Sequence, residues 1–477
     1  MSLTDALKDR ARALGFCAVG VTGTEPFHEA ESAAATRTAE GLLDGLSWWN
    51  LTRAHASADP RRAMPDARSV IALAYPHPSP SPAVGGQGGG PRGRIAAYAL
   101  GHDYHEVLLE RMQPLIAMLH ERGYAAKTYV DHGWMLDRAA AARAGLGWLG
   151  KNTNLLVPGA GSYVLLAEIV TSAALQPDQP LKKSCGSCDA CLRICPTGAL
   201  VGPGVLDNRR CISFWTIEHR GVIPHEIRPL IGDWIFGCDL CQEVCPVNAR
   251  PAAPDPAALT AYGPMVEPRP QLEELLTLDE QTFRLRFRQS AVWRTRRTGL
   301  LRNVCIALGN VADRQSVPAL AGALVDDAPL IRGHAAWALG RLGGPAARQG
   351  LALALSREAD PWVRDCRPTI RRSARRTMAR ARSRAAAGCV PPGITNASGR
   401  VIRPSRSAIS ASQRVVKSAV TTLKCRWSVP YSAESVASSA PTVKSSLWTR
   451  RMIACRPRSL ISARAAPSAE IASSTSP

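Results

Sequence analysis

The run CGSCDACLRICP at residues 185 to 196 narrows what this chain can be. Cys185, Cys188, Cys191 and Cys195 keep the C-x2-C-x2-C-x3-C-P spacing that ligates 4Fe-4S clusters, in which three thiolates hold one cluster and the fourth crosses to another. A second run, CDLCQEVCP at 238 to 246, supplies Cys238, Cys241 and Cys245 and is one cysteine short of the same pattern. Counting back from Cys245-Pro246, the missing ligand would fall at Ile235, and the one unassigned cysteine between the runs is Cys211. With it the count closes at eight: Cys185, Cys188, Cys191 and Cys245 for the first cluster, and Cys195, Cys211, Cys238 and Cys241 for the second. Zinc in four-cysteine sites is the competing reading, weakened by both Cys-Pro pairs.

Seven of the fourteen cysteines lie in these two runs of a 477-residue chain, whereas a disulfide framework belongs mainly to short secreted chains. A reducing cytoplasm is the expected setting. The N-terminus, MSLTDALKDRARALGF, is charged and amphipathic, without an apolar signal core, and no stretch approaches the roughly 20 apolar residues of a membrane span. A soluble monomer is expected.

The net charge of +21 looks like a nucleic-acid signature until it is divided along the chain. From Cys366 onward, 21 Lys and Arg face only Glu434 and Glu470, so this end carries +19 and residues 1 to 365 carry +2. The Ser, Ala, Arg and Pro mixture of 373–477 has little apolar periodicity and is expected to be a disordered basic tail. Before it, LLRNVCIALGN (300 to 310) and LIRGHAAWALGRLG (330 to 343) align Arg302 over Arg332, and PLIRG at 329 recurs as PWVRD at 361. This spacing predicts HEAT-like paired helices across 256–372. The segment RLRFRQSAVWRTRRTGLLRN interleaves Arg294, Arg296, Arg297 and Arg302 with Phe283, Phe287 and Trp293. Phosphate charges beside stacking planes make it the candidate RNA contact, with a solvated helix face as the bland alternative.

Residues 1–180 read as mixed α/β. SVIALAYP (69 to 76) and SYVLLAEIV (162 to 170) have strand character, while DYHEVLLERMQPLIAML (103 to 119) and LDRAAAARAGLG (136 to 147) are helical. Asp103 and Glu106 have capping-box spacing, and Gly145 is suited to stop its helix. The glycine-rich segment 79–94 is expected to be a surface loop rather than a phosphate cradle, since no Gly-Lys-Ser/Thr follows. The fold class expected is α+β: a mixed α/β domain, a ferredoxin-like two-cluster domain over 181–255, C-terminal HEAT-like α-helical repeats and a disordered basic tail.

Two clusters move single electrons, and 180 residues ahead of them call for an electron-consuming domain. The segments YALGHDYHEVL (98 to 108), VDHGWMLDRAAAARAGLGWLGKNTNLL (130 to 156), GSYVLLAEIVT (161 to 171), RRCISFWTIE (209 to 218), FGCDLCQEVCPVN (236 to 248) and GLLRNVCIALGN (299 to 310) resemble the epoxyqueuosine reductases, in family order. These are cobalamin-dependent iron–sulfur enzymes that complete queuosine at the wobble position of tRNA. The chain departs from the family's D-T-G-P with His132 and Trp134, and from its Tyr with Phe214. The resemblance implies that residues 1–180 bind cobalamin, that two [4Fe-4S] clusters supply its electrons from an unidentified donor, and that the helical repeats hold the anticodon stem-loop. It also implies that Asp131 protonates the leaving epoxide oxygen. An aspartate in water is ionised near neutrality, so burial beside the corrin is expected to keep the proton in place. The implied cobalamin contacts are Asp131, Asn152 to Leu155, Ser162 to Leu166, Ser213 and Asp239, completed by Arg53 and Tyr98. A reductive dehalogenase-like cobalamin enzyme and a non-enzymatic electron carrier are the alternatives.

Overall fold

The computed structural model describes residues 1–79, 90–249, 262–263 and 265–365. The expected basic tail lies outside them, as does most of the expected glycine-rich loop.

Four strands form an antiparallel sheet in the order β1 (Ala18–Thr22), β2 (Ser69–Pro76), β4 (Val164–Thr171), β3 (Ala126–Tyr129). All eight residues of β2 are buried because it lies inside the sheet and both faces are covered. Alternation along it separates two cores. Ile71, Leu73 and Tyr75 join Leu165, Ala167 and Ile169 beneath α1 (Leu3–Ala13) and α2 (Tyr104–His120). Ala72 and Ala74 face the opposite way, under α3 (Asp137–Arg143). Small residues let α3 lie almost on the sheet: a Cβ at Gly20 would stand 2.0 Å from the Ala144 carbonyl oxygen. Gly145, at φ +77°, ends that helix as expected. At the start of α2 the Asp103 side chain accepts from the His105 N–H, not in the expected box with Glu106.

Short helices α4 (Ala190–Ile194) and α5 (Leu240–Glu243) carry the cysteine runs. C-terminal to them, α6 (Arg296–Val311), α7 (Pro329–Leu342) and α8 (Pro345–Arg357) form the expected helical repeats. Helices α6 and α7 pack closely, since a Cβ at Gly309 would lie 2.7 Å from the Trp337 ring.

Arg302 overturns one expectation. It is 1 % exposed, and its guanidinium donates to the carbonyls of Trp215, His219 and Gly221. Asn303 beside it donates to the carbonyls of Thr216 and Ile235. These two residues fasten α6 to the segment between the cysteine runs, and Arg302 has no face for a phosphate. Phe283 and Phe287 are equally buried and offer no stacking plane to RNA. One hydrophobic core runs from Leu7 of α1 to Ala347 of α8, so the three segments before the tail pack as a unit.

Candidate active site

The cysteines assemble first. Burial, and then the negative charge of neighbouring thiolates, pushes the thiols up, and the thiolates that act on one another fall into two sets. Cys191 feels Cys245 and Cys185, and Cys245 feels Cys185 and Cys188. Cys211 feels Cys195; Cys238 feels Cys211 and Cys241; Cys241 feels Cys211, Cys195 and, across the gap, Cys191. Cys211 reaches its set because the 3-10 turn Asn208–Arg210 ends on it, and the backbone N–H groups of Ser213 and Phe214 favour its thiolate. Among the described residues no three ligand side chains converge tightly enough for a single metal ion.

A cavity of about 260 Å³ opens beside the second set. Its floor is apolar, from Leu155, Val164, Leu165 and Leu166, and its polar wall includes Tyr98, Tyr104, Asp131, Asp137, Ser162 and Gln242. Of the residues expected at the cofactor, it gathers Tyr98, Asp131, Asn154, Leu155, Ser162, Val164, Leu165 and Leu166. Asn152, Ser213, Asp239 and Arg53 are not in its lining. Asn152 instead donates to the Cys241 carbonyl, and Asp239 accepts from the Ala97 N–H and from Gln242. Gln242 in turn accepts from Ser162, which Asn248 also binds. These bonds form a latch between the cavity and the second cysteine set. Arg53 donates to the Gly133 carbonyl and lies between the rings of Trp48 and Trp134, at 5.3 and 5.4 Å.

Asp131 leaves β3 on a backbone at φ +50°, in the left-handed region that non-glycine residues occupy at a cost. Gly133, at φ +92°, folds the loop over Tyr129, whose ring a Cβ there would meet at 2.6 Å. Contrary to the expected burial, Asp131 is exposed; it accepts a 2.6 Å hydrogen bond from the Tyr104 hydroxyl. Burial, and then the nearby Asp131, raises the Tyr104 phenol well above its ordinary value and keeps it a donor. His77 in the same wall is pushed down to about 4 by burial and is neutral. Two further carboxyls stand close by: Asp137, half-buried at the start of α3, and Glu168, fully buried on β4. Burial, and then the charge of other carboxylates, raises both. Tyr104, His77, Asp137 and Glu168 were not among the residues singled out from sequence; the first three reach the cavity, and Glu168 lies beneath it, through the sheet register or a helix start that no local pattern displays.

The basic face is smaller than expected. Arg294 pairs with Glu218 at 2.8 Å and lies within electrostatic reach of Asp131. Arg296 is exposed and packs over Trp293 at 4.8 Å. Arg220 feels both guanidinium groups. Arg297 is instead drawn into an ion pair with Asp326 and a bond to the Leu278 carbonyl, which removes it from the expected set of free cations.

Residues 184–248 match the 4Fe-4S double cluster binding domain, residues 58–132 the epoxyqueuosine reductase QueG model, and residues 297–367 HEAT repeats. The chain is similar to the epoxyqueuosine reductase of Bacillus cereus, at 35% identity over 366 residues, 74% of this chain and 92% of that protein. It is 34% identical to that of Escherichia coli K12 over 343 residues, 71% of this chain and 89% of that one. Among solved structures, an epoxyqueuosine reductase with an epoxyqueuosine-modified tRNA-Tyr stem loop matches with a TM-score of 0.71 and 34% identity, covering 76% of this chain and 96% of that one. The Bacillus subtilis enzyme, in a form with its catalytic aspartate loop swung out of the active site, matches at 0.70 with 33% identity over the same shares. The chain belongs to the epoxyqueuosine reductase family of oxidoreductases.

Proposed function

We propose that this protein reduces epoxyqueuosine to queuosine at the wobble position of tRNA, in the cavity beside the second cysteine set. The observation that carries the reading is the meeting in one place of an exposed carboxyl on a strained loop, an apolar floor and a wall latched to cluster-binding cysteines. In this reading Cys185, Cys188, Cys191 and Cys245 hold one cluster, and Cys195, Cys211, Cys238 and Cys241 hold the other.

The cavity residues fit cobalamin in part. An apolar floor from Leu155 and Leu166 suits a macrocycle face, and hydrogen-bonding groups at Tyr98 and Ser162 suit its amide rim. The enclosed volume of about 260 Å³ is smaller than a whole cobalamin, so much of such a cofactor would lie outside it. When bound, cobalamin supplies the low-potential chemistry that opening an epoxide demands. The protein's own part is positional and protonic. Tyr104 orients the Asp131 carboxyl, Arg53 ties down the loop through Gly133, and the Asp131 carboxyl gives a proton to the departing oxygen. That a related enzyme is described with a catalytic aspartate loop supports this role.

A wobble base is single-stranded and can be splayed into a pocket while cations hold neighbouring phosphates. Arg220, Arg294 and Arg296 serve as those cations. The test is anaerobic incubation of cluster-loaded, cobalamin-supplemented protein with a chemical reductant and an epoxyqueuosine stem-loop. The released nucleoside should lack one oxygen atom. An unchanged nucleoside with fully loaded protein would defeat the reading.

A further inference from the structure

Reducing an epoxide to an alkene takes two electrons and two protons: both C–O bonds break, a C=C bond forms and the oxygen leaves as water. In the proposed reading Asp131 delivers one proton to the oxygen, so each turnover needs a second from elsewhere. Behind Asp131 lie two more carboxyl groups. Asp137 shares the cavity wall with it, and Glu168 lies beneath, 0 % exposed, on the sheet face that α3 covers. Cross-strand register sets Glu168 between Ala72 and Tyr129, and neither of their side chains gives its carboxyl a hydrogen bond. Neither Glu168 oxygen meets an N–H or hydroxyl donor among the described residues. Its polar neighbour is the Asp137 carboxyl, and two carboxyl groups can hydrogen-bond only with a proton between them.

We propose that Glu168 and Asp137 hold one proton in common and return it to Asp131 within each turnover, an inference that rests on the epoxide-reductase reading. The path runs from Glu168 to Asp137, from Asp137 to Asp131 across the cavity wall that both line, and from Asp131 to the oxygen. The pair recovers its proton from water through the cavity side of Asp137. No proton is created or destroyed in this scheme, and the two electrons are those of the reduction itself. The neighbouring charged and titratable groups are Asp131 and His132 on the loop, Arg138 on α3 and Tyr129 on β3. Arg138 and His132 favour the moment when both carboxyls are ionised, while Asp131 opposes it. An unshared buried carboxylate at Glu168 would have no compensating bond, which is the physical reason for the proton to reside there.

The experiment uses the full, cluster-loaded and cobalamin-supplemented protein and two readouts. Infrared spectra at neutral pH should contain a protonated-carboxyl C=O band that shifts in heavy water and disappears in Glu168→Gln. Steady-state conversion of an epoxyqueuosine stem-loop by Glu168→Gln and by Asp137→Asn should fall about 10-fold or more, with KM within about twofold. The alkaline fall of kcat should move to lower pH in Glu168→Gln, because the remaining carboxyl has no proton to share. Packing alone would change neither the band nor the pH profile. The proposal is overturned if Glu168→Gln keeps the band, or if both variants keep wild-type kcat at every pH. If the wild type itself converts no stem-loop, the functional reading has failed, and the infrared comparison still decides whether the proton is shared.

Discussion

Cys211 is held by its surroundings more firmly than by its place in a motif. The turn Asn208–Arg210 delivers it, the backbone N–H groups of Ser213 and Phe214 favour its thiolate, and Cys195, Cys238 and Cys241 act on it. Replacing it by alanine should lower bound iron from about eight to near four per chain, or leave a damaged three-iron cluster. Iron analysis with electron paramagnetic resonance of the reduced protein reads this directly; full iron content would remove Cys211 from the second cluster. Cys211 was legible because thiolates can be counted and the motif fixes how many are needed. Glu168 was not, because SYVLLAEIV reads as a buried strand and nothing local says that its one acid faces another carboxyl. Tyr104 was hidden in the same way: it belongs to an ordinary helix start until the fold turns that start toward the Asp131 loop.

At the scale of elements, α6 shows how a basic pattern can mislead. Arg294, Arg296, Arg297 and Arg302 look alike in sequence, yet two face outward, one is paired with Asp326 and one is locked in the core. Composition reports charge, and only packing reports its direction. Arg302→Met should therefore destabilise the protein by about 3 kcal/mol or more, since the buried Trp215 carbonyl and the part-buried carbonyls of His219 and Gly221 are left without their donor. Denaturant melts would register it, and a change below about 0.5 kcal/mol would show that the bonds are replaceable. The outward pair should behave differently. Arg294→Glu with Arg296→Glu should leave the melt nearly unchanged, weaken stem-loop binding and reduce the salt slope by roughly 0.7 to 0.9 for each phosphate that is no longer neutralised. Binding isotherms at several salt concentrations give that slope; an unchanged slope would move RNA recognition to another surface. Strands and helix identities were the most readable part of this level, because period and length are local. The HEAT-like helices were likewise readable from a repeat of small and aliphatic residues.

At the scale of the whole molecule, one core joins the sheet, the cysteine-bearing segment and the repeats, with Arg302 and Asn303 as the fastening between the last two. Boundaries inferred from changes of composition cannot display such sharing, because a composition shift marks a change of element type and not a gap in packing. Among the described residues no helix is long and apolar enough to cross a membrane. In the proposed reading the arrangement brings four requirements of one reaction to a single cavity: electrons through the cysteine sets, a cofactor floor, a cation face for RNA and a carboxyl for the leaving oxygen.

Asp131→Asn engages all four at once while changing only the last, since the amide keeps the shape and gives up the transferable proton. The decisive measurement is single-turnover conversion of a bound epoxyqueuosine stem-loop by the wild type and by this variant, with cluster and cobalamin spectra and stem-loop affinity recorded on the same samples. The wild type should form the alkene, and Asp131→Asn should keep its spectra and affinity while conversion falls about 10²-fold or more. Equal conversion by the two proteins, or none by a fully loaded wild type, would contradict the assignment of this cavity as the site of epoxide reduction.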